Sequence, residues 1–533
     1  MFTKLLIILA CCTPLAMATW WSIGDGQAAT PRLNAATGSA RPRIWTPERS
    51  AQVLASHMQL KSTTSDAATA TPISPLASSF LLATLQTEDV LPATTREPAK
   101  TDPSRISTPT LPTAEPGIEI ADIDEDLRFV PSTRPSVPEA QHPPAANEKN
   151  VDTNKPIAGW QRLTDDWFGI RPKLDDRGIS FQASFTLDGS KNLRGGADTA
   201  GSAFRNLFNA NVTLDTERLF GWKGGTFFAN FQNQNGRSGQ ELTGSYQGIS
   251  NIDADGRTQI SELWYEQALL NHKLHIKFGK IDASSQFAHP SNADEFLNTG
   301  SGNSPTILGL PAYPDPAFGV QVRINPNDNC YLNLGLFDGS LRQGKSTGDL
   351  GPSTISADSL FTIAEGGVTW TIHNLDGRVA VGAWYHTGDI ERINGGTQDG
   401  TWGPYIVLDQ MLWRADAENK DDHRGIGMFF QYGYADPAVS AVEHHLGAGL
   451  TWTGPIPNRA DDVLGLAASW VRFSNRSGAG FNEGSELDLE LFYKIKITQW
   501  LSIKPNFQFI HNPGGLSANA DAFVTGVRFV VDF

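Results

Sequence analysis

Leu501-Ser-Ile-Lys-Pro-Asn-Phe-Gln-Phe-Ile-His511 alternates residue by residue, with Leu501, Ile503, Phe507 and Phe509 on one parity and Ser502, Lys504, Asn506 and Gln508 on the other. Successive side chains of a β-strand point to opposite faces, so this spacing predicts a strand with one apolar and one polar face. Ala522 to Phe533 repeats it, setting Phe523, Thr525, Val527, Phe529, Val531 and Phe533 against Val524, Gly526, Arg528, Val530 and Asp532. Extended back along the chain, the pattern predicts sixteen strands: 178–187, 203–215, 225–234, 260–270, 274–281, 318–325, 330–338, 361–372, 377–386, 403–413, 425–434, 443–453, 462–473, 485–498, 501–511 and 522–533.

The connections between them sort by parity. Even-to-odd links such as Asn271–Lys273, Pro326–Asn329, His373–Asp376 and Gln499–Trp500 are short, whereas the odd-to-even links 235–259, 282–317, 339–360 and 387–402 are long. An outer-membrane barrel has short turns at one rim and long loops at the other, so its links alternate in this way; a β-sandwich has no reason to. Two links depart from the rule, Arg414–Arg424 by its length and Ala435–Val442 by its brevity. The expected fold is all-β: a closed antiparallel transmembrane β-barrel of about 16 strands over 178–533, preceded by a disordered extension.

That extension is bounded by composition. Met1 to Ala18 combines Lys4, an apolar run and the small-residue site Ala16-Met17-Ala18, the layout of a cleavable secretory signal. A lipidation box at Ile8-Leu9-Ala10-Cys11 is the alternative, and it would leave a very short apolar region. Cleavage near Thr19 removes Cys11 and Cys12, so Cys330 remains alone and no internal disulfide can close. Residues 19–155 are rich in Pro, Ala, Thr and Ser without a period, and both an inert spacer and a tether touching peptidoglycan fit them. Residues 156–177 read as a lead-in at the periplasmic rim. The formal charge of -15 makes nucleic acid an unsuitable partner, and no apolar run after the signal is long enough for a membrane-spanning helix.

In hydrocarbon every backbone donor and acceptor needs a partner within the protein, and a sheet achieves this only by closing on itself. About sixteen strands enclose more space than side chains can fill, so the lumen is aqueous. The polar parity then faces water: Glu262, Trp264, Glu266, His275, Lys277, Gln321 and Arg323 in the first half, and Asp488, Glu490, Lys494, Lys496, Lys504, Asn506, Gln508 and Arg528 near the C-terminus. Carboxylates, amides and guanidinium groups can exchange hydrogen bonds with sugar hydroxyls, and Trp264 could stack on a pyranose ring; equally, each could simply hydrate the wall. The loop 282–317 suits an inward fold that narrows the pore, with Asp294, Glu295, Tyr313 and Asp315 towards the solute, or an outward fold that covers the surface. Aromatic residues near strand ends, among them Trp370, Tyr385, Trp402, Trp413, Trp452, Trp470, Tyr493 and Trp500, suit interfacial girdles against outer-membrane lipid.

No nucleophile elbow, phosphate-cradling loop or HExxH motif is present, so no enzyme activity and no cofactor are expected. Asn251, Asp253, Asp255, Gly256 and Glu262 have the spacing of a calcium loop, yet an EF-hand needs a flanking helix where Glu262 sits in a strand, so no metal is expected there.

Three blocks carry a family resemblance. Leu163-Thr-Asp-Asp-Trp-Phe-Gly-Ile-Arg-Pro-Lys-Leu-Asp-Asp-Arg-Gly-Ile179 resembles the lead-in of the carbohydrate-selective porin family of the OprB type, with Asp165 and Phe168 where glycines are common. Glu262-Leu-Trp-Tyr-Glu-Gln267 with Lys277-Phe-Gly-Lys-Ile-Asp282 is similar to a strand pair of that family. Asn512-Pro-Gly-Gly515, Asp521-Ala522 and Gly526-Val-Arg528 to Phe533 resemble its closing hairpin. The resemblance implies a sixteen-stranded outer-membrane porin passing mono- or oligosaccharides, with selectivity set by charged lumen residues and inward loops. Phe533 also looks like the C-terminal mark read by the barrel assembly machinery.

Overall fold

The computed structural model describes residues 157–339, 359–416, 419 and 422–533; the expected signal segment 1–18 and extension 19–155 lie outside them. Among these residues sixteen strands form one closed antiparallel sheet. They are β1 (Ile179–Gly196), β2 (Ser202–Asp215), β3 (Gly225–Gly236), β4 (Arg257–Leu269), β5 (Leu274–Ile281), β6 (Ala317–Asn327), β7 (Cys330–Asp338) and β8 (Leu360–Ile372), followed by β9 (Leu375–Glu391), β10 (Thr397–Arg414), β11 (Gly425–Tyr434), β12 (Val442–Thr453), β13 (Val463–Phe473), β14 (Ser485–Thr498), β15 (Leu501–His511) and β16 (Ala520–Asp532). Each strand pairs with its neighbours in the chain, and β1 closes on β16 from Ser184↔Asp532 to Gly196↔Ala520. Closure satisfies the two edges that an open sheet would leave to hydrocarbon.

Alternation places the apolar parity outside. Leu263 is 54% exposed and Phe278 53%, whereas Arg528 on the inner face is 8% exposed. One bulge changes the phase: opposite Asn230 and Phe231, β4 advances from Glu262 to Ile260, so Gln259 and Glu262 both reach the lumen. Three strands run further than their sequence pattern. β1 continues to Gly196 through Asp188-Gly-Ser-Lys-Asn-Leu-Arg, and β9 with β10 absorb most of the expected long link 387–402, leaving residues 392–396. Beyond the hydrocarbon both faces meet water, so pairing persists after the apolar parity has faded.

At the rim where β1 begins and β16 ends, four of the seven links have four residues or fewer. His373 and Asn374 carry φ of 52° and 60°, the paired left-handed geometry of a two-residue hairpin turn. The lead-in docks here, with Leu163 N–H donating to the Asp532 carbonyl at 2.8 Å and Arg171 donating to the Phe533 carbonyl at 3.3 Å. It continues as α1 (Ile170–Asp176), which touches α2 (Thr216–Phe220) through Arg218 and the Asp175 carbonyl at 3.1 Å. Gly178 permits that approach, because a Cβ there would lie 2.7 Å from the Arg218 Cβ. Asp165 and Phe168, the two residues standing where the family favours glycine, adopt left-handed backbone with φ of 49° and 59°. The glycine preference thus has a steric basis, and this chain accepts strain of roughly 1 kcal/mol at each position. Trp167 packs on the outward-facing Phe181 with ring centroids 5.8 Å apart, and Trp222 on Tyr265 at 5.9 Å, which extends the aromatic girdle along this rim.

Candidate channel and its constriction

Two loops from the opposite rim fold into the lumen. The longer, 282–316, leaves β5 and runs along the inner wall from β7 to β15 before returning to β6, held by backbone donors that point at wall carboxylates. Glu365 on β8 accepts from Ala288 N–H at 2.7 Å, and Asp409 on β10 accepts from Asn292 N–H at 2.9 Å. Glu490 on β14 accepts from Leu297 N–H at 2.9 and 3.1 Å and from Asn298 N–H at 2.7 Å. Charged acceptors make hydrogen bonds about twice as strong as neutral ones, and inside a barrel few waters compete for them. Arg378, paired with Asp409 at 2.8 Å, also donates to the His289 carbonyl.

Apolar packing backs these ties. Phe287 and Ile307 bury against Phe337, Phe361, Trp384 and Tyr405, while Phe296 meets Phe429 at 5.6 Å and Phe492 at 5.0 Å between ring centroids. Apolar residues therefore stand at inward positions of β7 to β14, where the loop rather than water covers them. The outward-folding alternative for 282–317 is excluded by these contacts.

The second loop, 237–256, was not expected inside. Arg205 on β2 pairs with Asp253 at 2.6 Å, Asp188 on β1 accepts from Ser250 at 2.7 Å, and Gln508 on β15 donates to the Ile249 carbonyl at 2.8 Å. Glu486 on β14 accepts from Tyr246 N–H at 2.8 Å and Gln247 N–H at 3.0 Å. Burial pushes the Asp253 carboxyl up to about 6 against the pull of Arg205. The two loops also brace each other: Tyr313 hydroxyl donates to the Ile252 carbonyl at 3.1 Å, Asn251 N–H donates to the Leu297 carbonyl at 2.7 Å, and Arg257 on β4 pairs with Asp315 at 2.7 Å.

The expected site residues thus divide into groups. Arg528 grips Asp188 through two contacts of 2.7 Å and donates to Asn251 at 2.8 Å, so with Asn506 and Gln508 it lies buried behind the loops. Lys504 and Lys494 converge on Glu295 at 2.6 and 2.5 Å. Burial opposes ionisation of Glu295, yet these two ammonium groups outweigh it and hold the carboxyl down at about 2. Tyr313 and Asp315 brace the loops, whereas Asp294, whose side chain is 60% exposed, faces the lumen and pairs with His289 at 3.2 Å.

On the opposite wall, Glu266 meets His275 at 3.0 Å and Lys277 at 3.4 Å, and Glu262 accepts from Trp264 at 3.1 Å and from Asp282 N–H at 3.2 Å. The Trp264 ring stacks on Phe228 at 4.8 Å and carries the Lys277 ammonium at 4.1 Å, so it is engaged within the protein rather than standing bare for a pyranose. Arg323 lies 4.4 Å over the Tyr331 ring. The residues with calcium-loop spacing take separate donors: Arg528 for Asn251, Arg205 for Asp253, and Asp282 N–H for Glu262. Because side chains do not fill a sixteen-stranded barrel, an aqueous passage remains beside the loops, and partly exposed inward side chains of both charges, among them Glu262, Glu266, His275 and Arg323, stand on the wall away from β7 to β15. Such a passage admits small hydrated solutes and disfavours apolar ones.

A family model for the carbohydrate-selective porin, OprB family, matches residues 201–533. The chain is 22% identical to Porin B of Pseudomonas aeruginosa over 438 residues, covering 71% of this chain and 92% of that one. It is 24% identical over 417 residues to the putative porin QuiX of Acinetobacter baylyi, covering 70% and 93%. A high-pH structure of Pseudomonas putida OprB superposes with a TM-score of 0.65 at 19% identity, covering 71% of this chain and all of that one, which supports the fold. The matched region takes in β2 to β16 with both inward loops. A closed sixteen-stranded barrel with a narrowed aqueous lumen and this family match together identify the chain as a bacterial outer-membrane porin belonging to the carbohydrate-selective OprB family.

Proposed function

We propose that the barrel passes mono- and short oligosaccharides by passive diffusion, with the loops 237–256 and 282–316 setting the size limit and lumen charges setting the preference for neutral solutes. The observation that carries this reading is the tethering of 282–316 across the lumen to carboxylates on β8, β10 and β14. A loop fixed at both ends and along its length keeps the aperture narrow without closing it. Glu262, Trp264, Glu266, His275, Lys277 and Arg323 line the passage facing the loops, while Lys504, Asn506, Gln508 and Arg528 act behind them by fixing loop position. Asp294 and Glu295 contribute the acidic rim of the constriction. The assembly machinery would read Phe533, whose ring packs on Phe208 at 6.3 Å, before the barrel closes. A peptidoglycan contact through 19–155 concerns residues outside those described.

Swelling of liposomes containing the purified protein tests the reading. A series of pentose, hexose, disaccharide and tetrasaccharide is expected to give rates that fall steeply with size. Rates equal to protein-free liposomes for every sugar would show that no channel is present and favour a structural or adhesive barrel. Rates independent of size up to the tetrasaccharide would remove the proposed role of the loops.

A further inference from the structure

The inner faces of β1, β2 and β3 carry a block of uncharged polar side chains that neither the loop ties nor the charged rim employs. Strand register sets Gln182, Asn211 and Asn230 in one row across the three strands and Ser184, Asn209 and Gln232 in the next. Directly paired residues stand about 5 Å apart and successive rows about 7 Å apart, so the six side chains form a compact lattice. All except Gln232, which is 9% exposed, are partly open to the lumen. The carboxamide oxygens of Asn209 and Asn230 are shielded from solvent and accept no hydrogen bond from the protein, so a turn of either side chain would offer a solute an acceptor that the fold does not use.

Charge lies around this block, not within it. On the side away from the start of β1 stand Asp188 and Arg205, engaged with Arg528 and Asp253. Across the next strand pair Glu262 stands opposite Asn230. One row nearer the rim where β1 starts, Phe228 and Trp264 are cross-strand partners with stacked rings. An ion has little to gain over uncharged dipoles and is drawn to the fixed charges elsewhere. A carboxamide presents a donor and an acceptor side by side, and each hydroxyl of a polyol is also both donor and acceptor. At a spacing of about 5 Å, one pyranose can exchange water for two or more of these groups at once.

We propose that Gln182, Ser184, Asn209, Asn211, Asn230 and Gln232 form a binding track for neutral polyhydroxylated solutes, hexoses and short oligosaccharides, on the wall facing the constriction. The track rests on the sugar-channel reading above and adds a location to it. Solutes dwell on it briefly, because each contact is a neutral hydrogen bond and a wall shared with water must release what it holds.

The test is sugar-dependent reduction of single-channel current in planar bilayers, titrated with glucose and with maltotriose. The comparison is between the natural protein, the triple variant N209A/N211A/N230A, and Asn233→Ala, which alters β3 on its outward face. Loss of one neutral hydrogen bond weakens binding roughly fivefold, so the triple variant is expected to raise the half-blocking concentration at least fivefold. Asn233→Ala is expected to leave it unchanged. Equal half-blocking concentrations for the natural protein and the triple variant would overturn the track. If the triple variant does not assemble, the milder N209S/N211S/N230S replaces it, with a rise of at least twofold expected and no rise again overturning the proposal. Failure of the natural protein to pass any sugar would instead strike the channel reading itself.

Discussion

Truncating Glu490 to alanine isolates what holds the constriction. Its carboxylate receives Leu297 N–H at 2.9 and 3.1 Å and Asn298 N–H at 2.7 Å, and both donors are buried. Glu490→Ala leaves two backbone N–H groups without that acceptor, at a cost of about 1–3 kcal/mol each, or about 2–6 kcal/mol in total. Even the lower figure multiplies the population in which residues 295–298 leave the wall by about thirtyfold. Glu365 and Asp409 still hold Ala288 and Asn292, so the barrel and the first half of the loop are expected to persist. Planar-bilayer recording is the assay: open-channel noise should rise, and a tetrasaccharide excluded by the natural protein should begin to enter proteoliposomes. Glu490→Gln, which keeps one neutral acceptor, should fall between the two. Unchanged noise and an unchanged size limit in Glu490→Ala would show that this tether does not govern the aperture.

Three further outcomes follow from the geometry. Arg528→Ala breaks the two contacts of 2.7 Å to the buried Asp188 and should cost about 3–5 kcal/mol, seen as a lower temperature for loss of the compact barrel on semi-native electrophoresis; removing the Asp188 charge as well should restore part of it. Asp253 is raised to about 6, so the folded form takes up a proton more readily than the unfolded chain: its contribution to stability is greatest below about 4 and falls as pH rises through 6. Protonation therefore favours the buried position of Asp253 and with it the docked loop 237–256, so current noise should fall between pH 7 and 5, and Asp253→Asn should show the acid level at both. Gly279 has φ of +133° and a Cβ there would stand 2.2 Å from the Leu263 carbonyl oxygen, so Gly279→Ala should cost at least about 2 kcal/mol and lower the yield of folded barrel.

The alternation of Leu501–His511 is legible because lipid and water act on opposite faces of one strand, and every strand shares that division. Loop length was equally readable, since it reports which rim a link occupies. The ends of β1, β9 and β10 were not, for past the hydrocarbon nothing compels one parity to be apolar. The inward fold of 237–256 left no local mark either: Tyr246 finds its acceptor 240 residues away at Glu486, and neither residue is unusual in its own neighbourhood. Lys504, Asn506, Gln508 and Arg528 fall on the inward parity, but parity alone does not distinguish a side chain bathed in the lumen from one covered by a loop. Burial is a property of two segments together, and only the folded barrel brings them into contact. Trp264 makes the same point, because its partners Phe228 and Lys277 come from the two adjoining strands.

The most direct test of sugar passage through a charge-lined constriction is paired flux into the same proteoliposomes of a radiolabelled hexose and a radiolabelled zwitterionic amino acid of similar size. Both should enter in proportion to the concentration difference, with the hexose severalfold faster. Equal rates would contradict carbohydrate preference, and exclusion of the hexose would contradict the channel.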